Sequence, residues 1–164
     1  MKTRQNIRKL CLCAVMAAMY TAITILAAPL SYGLMQFRLS EALVVFCAFE
    51  PSLGVGFTIG CFLANVFSTV TALDMIIGTL ATALACIWTA RCKKAVFAAI
   101  PNIVANALLV GGMLAFVLFP ENPGMGFVVS ALQVGFGELV VMMGLGVPLF
   151  LFEKKRGLVK KLMG

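Results

Sequence analysis

The chain has 164 residues, of which 62% are hydrophobic and 12% are charged. Soluble domains carry roughly 25% charged residues, so this composition excludes an ordinary soluble domain and indicates a membrane protein with several spans. The net charge of +7 does not predict a nucleic-acid partner, because the basic residues lie in short clusters beside apolar segments, as the positive-inside rule requires. The absence of histidine, with six cysteines and no CxxC pair, predicts neither a metal nor a cofactor.

The apolar segments follow one another along the whole chain, so we expect a single transmembrane domain over 1–164. Residues 1–9 form a basic arm, and residues 10–30 are enough to cross a ~30 Å hydrocarbon core as helix 1. A signal peptide is the competing interpretation, but its apolar region would exceed the usual length of roughly 7–15 residues. Further helices are predicted over 39–50, 52–70, 74–91, 95–118 and 127–151, with a turn-rich loop at 120–124 and a basic tail at 153–164.

Helix 2 is short, because twelve residues span only about 18 Å. A re-entrant segment there would reverse the orientation of every later helix. Six spans with both termini in the cytoplasm place 12 of the 13 Lys and Arg residues inside. The reversed arrangement would move eight of these outside, namely three in 91–94 and five in the tail, against the positive-inside rule. The predicted fold is therefore an all-α membrane protein with six transmembrane helices and cytoplasmic termini.

Small residues recur at intervals of four on two predicted helices. Helix 1 carries Ala14, Ala18 and Ala22, and helix 3 carries Gly56 and Gly60. This spacing lets helices approach closely in lipid. Both sets can serve packing inside the chain. On helix 1, the alternative is a docking stripe for another membrane subunit.

Several polar side chains lie within the predicted spans, where each ionisable group costs at least a few kcal/mol and usually faces a cavity or a partner. The candidate ligand-binding residues are Arg38, Glu41, Asn65, Asp74, Asn106, Gln133 and Glu138. Asn106 and Glu138 are each 11 residues from an end of their predicted helix, about 16 Å deep and close to the midplane. The others are shallower, so we expect a polar funnel that opens outward and binds a ligand taken from outside.

Some of these residues have structural alternatives. Asp74 can cap the N-terminus of helix 4, and Arg38 and Glu41 can form an ion pair that closes a loop. Asn102, which is four residues before Asn106, can satisfy the carbonyl group that Pro101 leaves unpaired.

Gln133 and Glu138 are five residues apart, which is about 140° around an ideal helix. Both can line one pocket only if the helix is distorted. Gly135 and Gly137 permit such a distortion without demonstrating it.

Three segments resemble the QueT family, namely 36–43 (QFRLSEAL), 61–65 (CFLAN) and 73–82 (LDMIIGTLAT). The family consists of substrate-binding S components of energy-coupling factor (ECF) transporters for queuosine precursors. The resemblance implies a non-enzymatic subunit of the bacterial plasma membrane, with Ala14, Ala18 and Ala22 docking on a transmembrane T subunit that joins two cytoplasmic ATPases. The sequence has no GxxxxGK[ST] phosphate loop, so either a partner supplies the energy or transport is not driven by ATP.

The implied ligand is a 7-deazaguanine such as preQ1, preQ0 or queuine. Its adjacent N–H groups suit a carboxylate, and its carbonyl suits an amide such as Asn65 or Asn106. A second carboxylate is useful if the ligand carries an aminomethyl cation. We favour Glu138 on the base and Glu41 with Arg38 at the lid.

Two other functional classes compete with this interpretation. One is a stand-alone secondary transporter of a small polar solute, with Glu138 as a proton or cation site. Such transporters are usually built from repeats, and no clear internal repeat is present. The other is a small membrane enzyme, which the lack of histidine, of a clustered acidic motif and of metal-ligand spacing argues against.

Overall fold

A computed structural model describes residues 2–32, 36–68 and 72–163, and the regular structure in these residues is helical. The elements, in chain order, are α1 (Lys2–Leu26), α2 (Ala28–Ser31), a 3₁₀ helix (Leu39–Ala48), α3 (Leu53–Asn65), α4 (Leu73–Thr89), α5 (Ala95–Leu118), α6 (Pro123–Arg156) and α7 (Leu158–Met163). α5 contains a π-helical turn at Asn106–Val110, and α6 contains another at Met142–Gly146.

Three helices in the described residues are long and apolar enough to cross a membrane, namely Thr3–Leu26, α5 and α6. The 3₁₀ helix, α3 and α4 are apolar but shorter. A 3₁₀ helix rises about 2.0 Å per residue, so its ten residues cover about 20 Å where an α-helix would cover about 15 Å. The short segment predicted as helix 2 is thus partly lengthened by its geometry.

The predicted helices are present, but several ends differ. Helix 1 already begins at Lys2, so the basic arm is helical, and it breaks after Leu26. Helix 3 ends at Asn65, earlier than predicted, and residues 69–71 lie outside the described residues. Helix 6 begins at Pro123 and not at 127, because Asn122 caps it by accepting a hydrogen bond from the backbone N–H of Met125 at 3.3 Å.

α1 and α3 pack tightly against each other through the glycine residues of α3. A Cβ atom at Gly60 would lie 2.7 Å from the backbone oxygen of Ala17. The small residues of helix 3 therefore serve internal packing. Ala14, Ala18 and Ala22 are exposed on another face of α1, so the alanine stripe does not take part in packing inside the chain.

The two ends of the chain meet at one end of the bundle. Lys9 pairs with Glu50 at 3.2 Å. The carboxylate of Glu153 caps α7 by accepting a hydrogen bond from the backbone N–H of Val159 at 2.9 Å. Val159 is buried in a hydrophobic cluster to which Leu12 of α1 also contributes. The basic segments of both termini therefore lie on the same side of the molecule.

Candidate ligand-binding site

Polar side chains from five regions of the chain meet in the interior. Of the seven predicted binding residues, six are at most 3% exposed: Arg38, Glu41, Asn65, Asp74, Asn106 and Glu138. Gln133 is only half-buried. We call these six residues, together with Gln36 and Asn102, the polar core.

Arg38 forms its ion pair with Asp74 and not with Glu41. Its Nη2 atom lies 2.8 Å from Asp74 Oδ2, which also accepts a hydrogen bond from the hydroxyl of Ser68 at 2.8 Å. Asn65 Nδ2 donates to the backbone oxygen of Asp74 at 3.0 Å. The N-cap position of α4 belongs to Ala72. The predicted Arg38–Glu41 pair and the capping role of Asp74 were therefore both wrong, because a partner distant in sequence outcompetes the local ones.

Glu41 is held by hydroxyl groups. Its Oε1 atom accepts hydrogen bonds from Tyr20 of α1 and, at 2.9 Å, from Thr82 of α4. Next to it, the hydroxyls of Thr24 and Ser40 share a hydrogen bond of 2.6 Å. The carboxylate is thus fixed between α1, the 3₁₀ helix and α4.

The second half of the polar core joins α5 to α6. Asn102 Nδ2 donates to Glu138 Oε2 at 3.1 Å and lies 3.6 Å from the sulfur of Met142. Asn106 Nδ2 donates a hydrogen bond to the backbone carbonyl oxygen of Asn102 at 3.1 Å. The π-helical turns begin at Asn106 and Met142, and such turns occur frequently at functional sites.

Counting residues from the predicted helix ends placed Glu138 at the same depth as Asn106. In the structure, Glu138 instead accepts a hydrogen bond from Asn102. The reason is the N-terminus of α6, which begins at 123 instead of 127. Four extra residues move Glu138 about 6 Å, or one helical turn, away from that end. Asn102 is one turn from Asn106 in the same direction. Its amide group donates to Glu138, so it does not serve only to satisfy a carbonyl freed by Pro101.

Gln133 does not join the polar core. α6 is regular from Pro123 to Val141, so Gly135 and Gly137 introduce no distortion, and the 140° offset from Glu138 remains. Within the described part of the chain, the side chain of Gln133 makes no hydrogen bond.

The two halves of the polar core are close to each other. The 3₁₀ helix, which carries Glu41, contacts the segment of α6 that carries Glu138. Gly78 lies against this group, since a Cβ atom there would be 2.8 Å from Asn65 Nδ2 and 3.0 Å from Asp74 Oδ1. α4 can approach the polar side chains this closely because position 78 has no side chain.

Several buried polar atoms make no hydrogen bond to any described residue. In the polar core they are Gln36 Nε2, Arg38 Nε, Glu41 Oε2, Asn65 Oδ1, Asp74 Oδ1 and Asn102 Oδ1. Buried polar groups in proteins are nearly always satisfied, so this concentration of unpaired atoms makes the core the candidate site for a polar ligand.

The side chains of the polar core are almost completely buried, so they do not line the outward-opening funnel that we expected. Two cavities of the described residues lie elsewhere. One of about 590 Å³ is lined by α3 and α4 and has Arg91 at its edge, and one of about 440 Å³ is lined by apolar residues such as Leu39 and Leu145.

Four residues of the site are not among the binding residues predicted from the sequence. Asp74, Gly78 and Thr82 are spaced by four and therefore share one face of α4, a signal that points to Thr82. Gln36 is 2% exposed and has a φ of 42°, which is uncommon for a residue other than glycine. No sequence pattern indicates that value. The other two residues, Tyr20 and Asn102, are polar positions on apolar helices.

The fold is that of an all-helical membrane protein whose interior holds charged and amide side chains. The family model described as QueT transporter matches residues 10–155, and the chain belongs to this family. The family predicted from the three sequence segments is therefore confirmed, and it is a family of transporters.

One curated relative, from Lactococcus lactis subsp. cremoris (strain MG1363), is named Queuosine precursor transporter QueT. The two proteins are 38% identical over 71 residues, which cover 42% of this chain and 41% of the relative. The matched region thus spans about two fifths of that relative. No solved structure shows a significant match.

Proposed function

We propose that the chain is the substrate-binding S component of an ECF-type importer in a bacterial plasma membrane. Its ligand is a queuosine precursor, a 7-deazaguanine such as preQ1, preQ0 or queuine. The observation that carries this proposal is the polar core with its unpaired buried atoms, inside a transporter of the QueT family. A heterocycle with several N–H groups and a carbonyl would satisfy these atoms and remove the cost of leaving them unpaired.

In this proposal, the ligand contacts the polar core between its two halves. Arg38, Asn65 and Asp74 approach it from one side. Glu41, Asn102, Asn106 and Glu138 complete the site. Gln133 lies outside the core, so we leave it out of the contact set.

The proposal includes six membrane spans with both termini in the cytoplasm. Two features support it. The ends of the chain lie at one end of the bundle, where Lys9 pairs with Glu50 and Val159 packs near α1. The basic clusters are assigned to that same side, and 12 of the 13 Lys and Arg residues belong to them.

A T subunit and two ATPases complete the proposed transporter. The exposed Ala14, Ala18 and Ala22 form a smooth strip on α1, and small residues let a second helix approach closely in lipid. Energy would come from the ATPases, since the sequence lacks a phosphate loop.

Calorimetric titration of the detergent-purified chain with preQ0, preQ1, queuine and guanine tests this function. We expect tight binding of at least one 7-deazaguanine and much weaker binding of guanine, because a buried polar site rejects analogues that leave its groups unpaired. If folded protein binds none of them, the assigned substrate is incorrect.

Uptake into proteoliposomes separates the importer from a secondary transporter. The chain alone should not accumulate the precursor, whereas the complex with T subunit and ATPases should do so when ATP is present. Uptake by the chain alone, driven by an ion gradient, would contradict the proposed role as an S component.

A further inference from the structure

We propose that the polar core selects a cationic ligand, so that a 7-deazaguanine carrying a protonated amine binds in preference to a neutral one. The amine would lie between Glu41 and Glu138. This inference rests on the proposed function and extends it to the charge of the substrate.

The first support is the charge balance of the polar core. Glu41, Asp74 and Glu138 are at most 1% exposed, and the single basic side chain among them is Arg38. Arg38 is already paired with Asp74 at 2.8 Å. No other Lys or Arg side chain that the structure describes is buried. Two carboxyl groups therefore share the core without a cation of their own, which is a costly arrangement that a cationic ligand would relieve.

The second support is the hydrogen-bonding capacity of the unpaired atoms. Four of them are acceptors: Glu41 Oε2, Asn65 Oδ1, Asp74 Oδ1 and Asn102 Oδ1. Two are donors, Arg38 Nε and Gln36 Nε2. This set fits a ligand with more donors than acceptors. An ammonium group supplies three donors and no acceptor, whereas a nitrile supplies only an acceptor.

The third support is the position of the two carboxyl groups. Glu41 is fixed by Tyr20 and Thr82, while Glu138 is reached by Asn102 from α5. They belong to different halves of the core, yet the 3₁₀ helix that carries Glu41 contacts the segment of α6 that carries Glu138. A cation placed between them would bind both halves at once.

Calorimetry on the wild-type chain with preQ1 and preQ0 tests the inference. These two ligands share the 7-deazaguanine ring and differ in an aminomethyl against a cyano substituent. We expect preQ1 to bind about tenfold more tightly or better, as a charge-assisted hydrogen bond would give. Equal affinities, or tighter binding of preQ0, would overturn the charge selection and leave the proposed function intact. If neither of these ligands nor queuine binds, both proposals fall.

Two variants test the assignment of the carboxyl groups, and a third is the matched control. Glu41→Gln and Glu138→Gln each replace one carboxyl group of the core with an amide, whereas Glu121→Gln does so in an exposed loop. Each core variant should weaken preQ1 binding more than preQ0 binding, and the control should change neither. An unchanged ratio in both core variants would overturn the inference. If a variant does not fold, the wild-type comparison decides.

Discussion

Arg38 and Asp74 form an ion pair whose side chains are 1% and 0% exposed. Removing two charges from water is expensive, and the cost is recovered only by close geometry and additional hydrogen bonds. Asp74 receives these bonds from Ser68 and Arg38. The pair ties the segment before the 3₁₀ helix to the start of α4, so it holds the polar core together.

Asp74→Ala should lower the free energy of unfolding by about 3–5 kcal/mol, because it leaves a buried guanidinium without its partner. Glu50→Ala is the matched control, since its partner Lys9 is 44% exposed and such pairs contribute about 0–1 kcal/mol. Chemical unfolding in detergent measures both. Similar small losses in the two variants would show that the buried pair does not stabilise the fold.

Gly78→Ala should weaken precursor binding and reduce stability, because the added methyl group would lie within 3.2 Å of Asn65, Asp74 and Arg38. Inserting one methyl group into a packed core costs typically about 1–3 kcal/mol. Gly144→Ala is the control, as its Cβ would meet nothing within 4 Å. Calorimetry and thermal unfolding of both variants provide the comparison, and normal binding by Gly78→Ala would place the ligand elsewhere.

The sequence predicted which residues would be buried polar groups, but not how they pair. Arg38 and Glu41 are three residues apart, so local spacing suggested a pair, whereas the observed partner is 36 residues away. Such a choice depends on how the 3₁₀ helix and α4 pack, which no local pattern encodes. Asn102 and Asn106 are one helical turn apart on α5. A four-residue error in the predicted start of α6 was therefore enough to place Glu138 beside the wrong asparagine.

At the level of elements, α1 presents two different faces. One face packs against Gly60 of α3 and includes Tyr20, whose hydroxyl donates a hydrogen bond to Glu41. The other face carries the exposed alanine stripe. The apolar segments of the sequence predicted these helices well, because length and hydropathy determine a span, while the ends depend on single capping residues such as Asn122.

Gly60→Val should separate α1 from α3, because a branched side chain would collide with the backbone of Ala17. We expect a loss of about 1–3 kcal/mol or more in unfolding free energy. Gly112→Val is the control, since the atoms nearest to its Cβ lie 3.7 Å away on Phe127. Equal stability of the two variants would contradict a tight α1–α3 contact.

Ala18→Trp should prevent assembly with the T subunit and the ATPases, because a large side chain blocks the close approach of another helix. Ligand binding by the isolated chain should remain normal. Leu132→Trp is the control, as this residue is 70% exposed on α6. Co-purification of the complex is the measurement, and intact assembly of Ala18→Trp would exclude the stripe as a docking surface.

At the level of the whole molecule, the proposed orientation rests on the charge clusters and on where the two ends of the chain pack. The N-terminal segment and α7 lie at the same end of the bundle, together with Glu50. The loop containing Glu121 follows α5, whose N-terminus is next to the basic segment 91–94. A cytoplasmic position for both termini therefore places Glu121 outside.

Labelling intact cells with a membrane-impermeant maleimide tests this orientation. Wild-type protein should remain unlabelled, because Cys11 and Cys92 lie on the proposed cytoplasmic side and the other four cysteines are in the spans. Glu121→Cys should be labelled, and Lys161→Cys should not. Labelling of the wild type or of Lys161→Cys would reverse or break the proposed topology.

The most direct test of the account is an experimental structure of the chain with a queuosine precursor bound. We expect the ligand in the polar core, within hydrogen-bonding distance of the unpaired oxygens of Glu41 and Asp74 and close to Glu138. A ligand bound in the cavity beside Arg91, or anywhere else outside the polar core, would contradict the central claim that this buried cluster is the substrate site.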